Sequence, residues 1–232
     1  MSSLILILLP LFGTTLGAAT VFFPQRSLLH PLALNGFAAG VMTAASVWSL
    51  LLPAIERAQH LGNLSFFPAF AGIWLGVLSL NFLENRIWHC EGSLLSFAVA
   101  LHNLPEGMAV GAAISAWHHC DLSWAACFAL SLGIAIQNLP EGAIISLPLA
   151  AQGTPRIRAF GAGILSGIVE PVGAILTILL AEILLPALPY LLSFSAGAML
   201  YVVVTELIRD PRCSLWFTAG FSVMMALDVA LS

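Results

Sequence analysis

Apolar runs of about twenty residues recur along nearly the whole of this 232-residue chain, and no other feature restricts its fold so strongly. Eight such runs fit, at about 4–24, 33–55, 66–83, 93–117, 122–150, 159–181, 186–208 and 213–231. The connections are short and carry the polar and helix-breaking residues: Pro24–Pro31, Glu56–Ser65, Glu84–Glu91, His118–Asp121, Gln152–Arg158, Glu182–Pro186 and Arg209–Arg212. In hydrocarbon a backbone must satisfy its own N–H and C=O groups, so runs of this length are helices. Only 8% of residues are charged, against roughly 25% in a soluble domain. The expected fold class is therefore all-α: a polytopic membrane protein with eight transmembrane helices, forming one transmembrane domain over residues 1–232. The N-terminal run is apolar from Leu4 but lacks the basic n-region of a signal peptide, and is read as the first helix. The four cysteines show no CxxC spacing, so neither a zinc ribbon nor a disulfide framework is expected.

The basic residues orient this arrangement. There is no lysine, and six of the seven arginines (Arg26, Arg86, Arg156, Arg158, Arg209 and Arg212) fall at odd-numbered connections, with only Arg57 at an even one. The positive-inside rule places odd connections in the cytoplasm and hence both termini outside.

Two similar polar interruptions sit inside the apolar runs: Leu101–Gly107 (LHNLPEG) and, 35 residues later, Ile136–Gly142 (IQNLPEG). On a helix His102 and Glu106 are i and i+4, and Asn103 and Glu106 are i and i+3, so the three share a face. Gln137, Asn138 and Glu141 repeat that geometry. Pro105 and Pro140 free the carbonyls of Leu101 and Ile136, and Pro171, beside Glu170, frees that of Gly167. Irregular backbone at membrane depth is tolerated where it lines a cavity. Each intramembrane acid costs about 2.5–3.5 kcal/mol, so Glu106, Glu141 and Glu170 together cost roughly 8–10 kcal/mol if uncompensated. No arginine within the spans can compensate them, and the only other acids there, Glu206 and Asp228, stand near span ends. Cations or protons must do so, and the three helices read as a metal-ion pathway through the membrane.

One imidazole, three carboxylates and several amides, with no thiolate, suit zinc, iron(II), manganese or cadmium better than copper(I). Zinc takes such ligands readily, whereas magnesium and calcium sites rarely use imidazole. One divalent ion against three carboxylates leaves a charge of −1 and two leave +1, so a bridged two-metal site is electrostatically reasonable. Three carboxylates gathered together cannot all stay ionised, so metal entry is expected to release protons.

These segments, His102–Gly107, Gln137–Gly142 and Glu170-Pro171, resemble the fourth, fifth and sixth helices of the ZIP (Zrt/Irt-like) metal transporters, above all their bacterial GufA-like branch. The resemblance extends to Gly36–Glu56 and Ser195–Leu207. It implies eight helices with both termini outside, a 3+2+3 arrangement in which helices 1–3 and 6–8 are inverted repeats around helices 4 and 5, a binuclear centre and a homodimer. Carried over by position, it gives one metal to His102, Glu106, Gln137, Glu141 and Glu170. The second falls to Asn103, Glu106, Asn138, Glu141 and Glu170. Three features depart from the pattern: Gln137 where many relatives carry histidine, Asn138 where some carry aspartate, and the absence of a long histidine-rich loop between helices 3 and 4. In that short connection His89, Cys90 and Glu91 are either a weak exit site or a solvated loop. His118, His119 and Asp121 are a metal-capturing outer mouth or a polar turn. Met42 and Ser46, one turn apart, line an outer entrance or merely pack; Glu206 is an interfacial residue or a cytoplasmic metal contact.

The expected function is therefore transport of a divalent transition metal, zinc first, into the cytoplasm by alternating access. Metal is cargo; no catalytic cofactor and no nucleic acid are implied, and the partners are the ion, the lipid bilayer and a second copy. A bacterial cytoplasmic (inner) membrane is the expected location. Two rivals stand against this: an intramembrane two-metal enzyme, which lacks an HExxH motif and a base apart from the ligands, and a proton-coupled carrier with a structural metal.

Overall fold

The computed structural model describes residues 2–23, 31–86, 93–119, 123–208 and 210–231, without the side chains of Pro31, Arg86, residues 93–102, His119 and Leu231. It is all-α, with no strand among the described residues. Its helices are α1 (Ser2–Ala19), α2 (Pro31–Ala45), α3 (Leu52–Arg57), α4 (Phe66–Arg86), α5 (Ser93–His119), α6 (Trp124–Ala151), α7 (Arg156–Gly167), α8 (Val169–Leu179), α9 (Ala181–Val202) and α10 (Ser214–Leu231). A π-helical segment, Ser46–Leu51, joins α2 to α3, and another, Val203–Leu207, extends α9. Seven stretches among the described residues are long and apolar enough to cross a membrane: Ser2–Phe22, Leu32–Arg57, Phe67–Asn85, Trp124–Ala151, Arg156–Leu179, Ala181–Leu207 and Pro211–Ala230. The remaining expected span coincides with α5, a 27-residue helix.

Prolines shape these helices unequally. α5 and α6 run unbroken across Pro105 and Pro140. The sixth expected span, by contrast, breaks into α7 and α8 at Ile168, where Pro171 has no N–H to offer the Gly167 carbonyl. The expected sixth connection needs correction: Glu182–Pro186 is helical, and Leu180 alone (φ −117°, ψ 33°) separates α8 from α9. The apolar run Ile183–Leu185 carries through it. A proline removes only its own donor, and in hydrocarbon the rest of the backbone still gains most from helix.

α1 packs on α6, α5 on α8 and α9, α2 on α10 and α4 on α9. Glycines let these backbones meet closely, as small residues do between membrane helices. A Cβ on Gly142 would overlap the carbonyl of Thr14, and one on Gly17 that of Leu139. The same arrangement recurs between α5 and α8, where Gly107 meets the carbonyl of Glu170 and Gly173 that of Leu104. A second matching pair joins α2 to α10 (Gly40 on Phe217, Gly220 on Phe37) and α4 to α9 (Gly76 on Phe194, Gly197 on Ile73).

The largest buried cluster lies where α2, α5 and α9 meet and includes Met42, Leu50, Met108, Leu188, Leu192 and Met199. The outside is apolar as well: Phe12, Trp74, Leu165, Ile183 and Leu215 are exposed. Such a surface is a liability in water and the expected solvated face in lipid.

Candidate metal centre

Three helices bring the polar residues to one layer. Asn103 and Glu106 come from α5, Gln137, Asn138 and Glu141 from α6, and Glu170 from the start of α8, and all six are buried. The carboxylates of Glu141 and Glu170 lie close enough to Glu106 to repel it. Gln137 lies beside Glu106 and Asn138 beside Glu170, without a well-formed hydrogen bond. His102 is on α5 one turn before Glu106, and its side chain lies outside the described residues.

The asparagines are oriented by backbone. Nδ2 of Asn103 donates to the Ser166 carbonyl (3.1 Å) and Nδ2 of Asn138 to the Pro10 carbonyl (3.4 Å). Carbonyl acceptors require the nitrogen on that side, so Oδ1 of each amide is left over as a ligand atom. Among the described residues, those two Oδ1 atoms, both oxygens of Glu106 and Oε2 of Glu170 have no hydrogen-bond partner. A buried polar atom left so costs about 1–3 kcal/mol. Five unpartnered acceptor atoms on three packed helices carry the oxygen chemistry and negative charge that a cation would satisfy. Among the described residues no group of three or more His, Cys, Asp or Glu side chains that could hold a metal ion is found.

Above this layer a cavity of about 290 Å³ lies between the α2–α3 junction, the first half of α6 and the end of α10. Its polar lining is Ser49, Glu56 and Asp228, and on α6 it reaches Gly133, one helical turn before Gln137. Ser49 Oγ donates to Asp228 Oδ1 (2.8 Å), while Oδ2 has no partner among the described residues. Ser49 and Glu56 share one span, and Asp228 comes from a helix far away in sequence. Two of them are acids near span ends, which was their only sequence signal.

The softer expectations fare differently. Met42 and Ser46 do not line the cavity: both are buried, with Ser46 Oγ donating to the Met42 carbonyl (2.8 Å) and contacting Met199 Sδ (3.0 Å). His118 is exposed and within 3.3 Å of Ser3 Oγ. The side chain of His119 and all of Asp121 and His89 lie outside the described residues. Glu206 is half-buried in the π-helical segment after α9, near Tyr201, whose hydroxyl donates to Glu84.

Comparison with known proteins gives the same picture. A family model described as ZIP Zinc transporter matches residues 88–228. Zinc transporter ZIP11 of Homo sapiens is 34% identical, over 94% of this chain and 94% of the relative. Zinc transporter GufA of Myxococcus xanthus is 34% identical over 79% and 80%, and zinc transporter ZIPB of Bordetella bronchiseptica 34% over 86% and 71%.

Proposed function

Because the chain belongs to the ZIP zinc transporter family, and is a transporter rather than an enzyme, we propose that it carries a divalent transition metal, zinc first, into the cytoplasm through the layer of Glu106, Glu141 and Glu170. One observation carries this reading: three carboxylates from three helices are buried together in apolar spans, in a chain without lysine whose arginines stand in connections or at span ends. An arriving cation removes the repulsion among them and takes up the unsatisfied oxygens.

His102, Glu106, Gln137, Glu141 and Glu170 hold one ion. Asn103, Glu106, Asn138, Glu141 and Glu170 hold a second, supported by the inward Oδ1 atoms of both asparagines. Iron(II), manganese and cadmium are further substrates of the same ligand chemistry, because an amide at Gln137 demands less of the ion than imidazole would. Glu56 and Asp228 attract the ion into the outer cavity, and Glu84 and Glu206 receive it at the other end.

The family resemblance and the arginine distribution support eight helices with both termini outside. The paired glycine contacts support an inverted 3+2+3 repeat. Leu104 and Leu139 play equivalent parts, as do Gly107 and Gly142, and the two π-helical segments begin at Ser46 and Val203, five residues after Val41 and Ala198 in the similar segments 36–42 and 193–199. The resemblance also supports a homodimer, and the bacterial relatives support an inner-membrane location.

The test is zinc uptake into proteoliposomes. Wild-type protein gives saturable uptake, and a Glu106→Ala/Glu141→Ala variant gives none. Full uptake by that variant overturns the assignment, and competition with iron(II), manganese and cadmium ranks the substrates.

A further inference from the structure

Thr14 is fully buried in α1, a mostly apolar helix without any acid. Its hydroxyl lies 3.3 Å from Oε1 of Glu170 and 3.4 Å from the carbonyl of Pro10. A hydroxyl has one proton to give. The Pro10 carbonyl already accepts from Nδ2 of Asn138, so Glu170 is the acceptor with the greater need. A hydrogen bond to a carboxylate is also the stronger of the two.

The surroundings fix Thr14 in place. Gly142 abuts its carbonyl. A Cβ on Gly167 would stand 2.8 Å from its Oγ1 and 2.9 Å from its Cβ. The repeat also gives its position a meaning. Gly142 follows Glu141 and meets Thr14, just as Gly107 follows Glu106 and meets Glu170. Three residues further on, Gly17 meets Leu139 as Gly173 meets Leu104. Thr14 therefore occupies in α1 the place that Glu170 occupies in α8.

We propose that Thr14 is a positioning residue of the metal centre: its hydroxyl holds Oε1 of Glu170 and presents Oε2 to the ion. One half of the repeat supplies the third carboxylate, and the other half supplies the donor that aims it. The Pro10 carbonyl, one turn before Thr14, accepts from Nδ2 of Asn138, so α1 supports two of the proposed ligands. This inference rests on the reading of the layer as a metal site.

The experiment titrates purified protein in detergent with Co²⁺ and follows the visible d–d absorption, with Zn²⁺ as competitor. Thr14→Val keeps the volume and removes the donor, whereas Thr14→Ser keeps the donor. Thr14→Val is expected to weaken Co²⁺ binding about ten- to a hundredfold, as loss of an outer-shell partner does, and to alter the absorption envelope. Thr14→Ser is expected to retain both affinity and spectrum. Thr14→Ala, which also lacks the hydroxyl, gives the same comparison where the valine variant does not fold. Wild-type affinity and spectrum in Thr14→Val overturn the proposal, and so does equal weakening in Thr14→Ser. A wild-type protein without a Co²⁺ spectrum overturns the site itself and this inference with it.

Discussion

Gly142→Ala tests the close approach of α1 to α6 beside Glu141. Its new Cβ would stand 2.7 Å from the backbone nitrogen of Ala18 and nearer still to the carbonyl of Thr14. Non-bonded heavy atoms settle at about 3.5 Å, so α1 must retreat from α6 by about 1 Å. Overpacking of this kind costs about 1–3 kcal/mol. Replacing glycine within a helix returns about 1 kcal/mol, leaving a net loss of up to about 2 kcal/mol. For a chain of this length that is a fall of up to roughly 8 °C in unfolding temperature. The same retreat carries Thr14 away from Glu170, whose hydrogen bond is already 3.3 Å long, so Co²⁺ affinity falls together with stability. Gly161→Ala is the control: Gly161 is exposed and has nothing within 4 Å of its would-be Cβ. The assay is thermal unfolding and Co²⁺ titration of both variants in the same detergent. If Gly142→Ala matches Gly161→Ala in both readouts, the backbone contact between α1 and α6 does not hold the centre together.

Asp228→Asn is expected to slow uptake at low zinc by up to about tenfold, the lower end of electrostatic focusing, while leaving the saturated rate intact. The defect shrinks as salt screens the cavity, which initial rates at two ionic strengths will show. Gln137→His restores an imidazole beside Glu106 and should favour zinc over manganese by about tenfold, or ~1.4 kcal/mol, in competition uptake. Zinc binding should release protons, seen as a binding heat that depends on the ionisation enthalpy of the buffer; identical heats in two buffers contradict it.

The parts of this molecule that were legible in the sequence are those written within one helix. The length of each apolar run set its span, and the i, i+3, i+4 spacing in His102–Glu106 and Gln137–Glu141 put the polar positions on single faces. Glu170-Pro171 was visible for the same reason, since an acid next to a proline is conspicuous in an apolar run. What stayed hidden depends on how helices pair. Thr14 is one of two adjacent hydroxyls in a mostly apolar helix, and nothing local distinguishes it from Thr15, whose hydroxyl turns back on its own helix and donates to the Leu11 carbonyl (2.7 Å). Ser49 and Asp228 are 179 residues apart and meet only because α10 lies on α2. The partners of Gly13, Gly17, Gly107 and Gly111 likewise appear only once the helices are paired. The misplaced connection at Glu182–Pro186 came from giving one acid and one proline more weight than the hydrocarbon around them.

The single residue between α8 and α9 has a mechanical consequence. Leu179 and Ala181 flank Leu180, so their Cα atoms can never be more than about 7 Å apart. α8 therefore cannot slide far along α9; it can only swing about that end. Glu170 sits ten residues from the pivot, a lever arm of about 15 Å. A swing of about 10° displaces its carboxylate by roughly 2.5 Å, more than the length of a zinc–oxygen bond. Glu106 and Glu141 are mounted in the middle of long continuous helices, whereas Glu170 rides on a short hinged one. Of the three acids it is the one that a small tilt of its helix can move away from the other two.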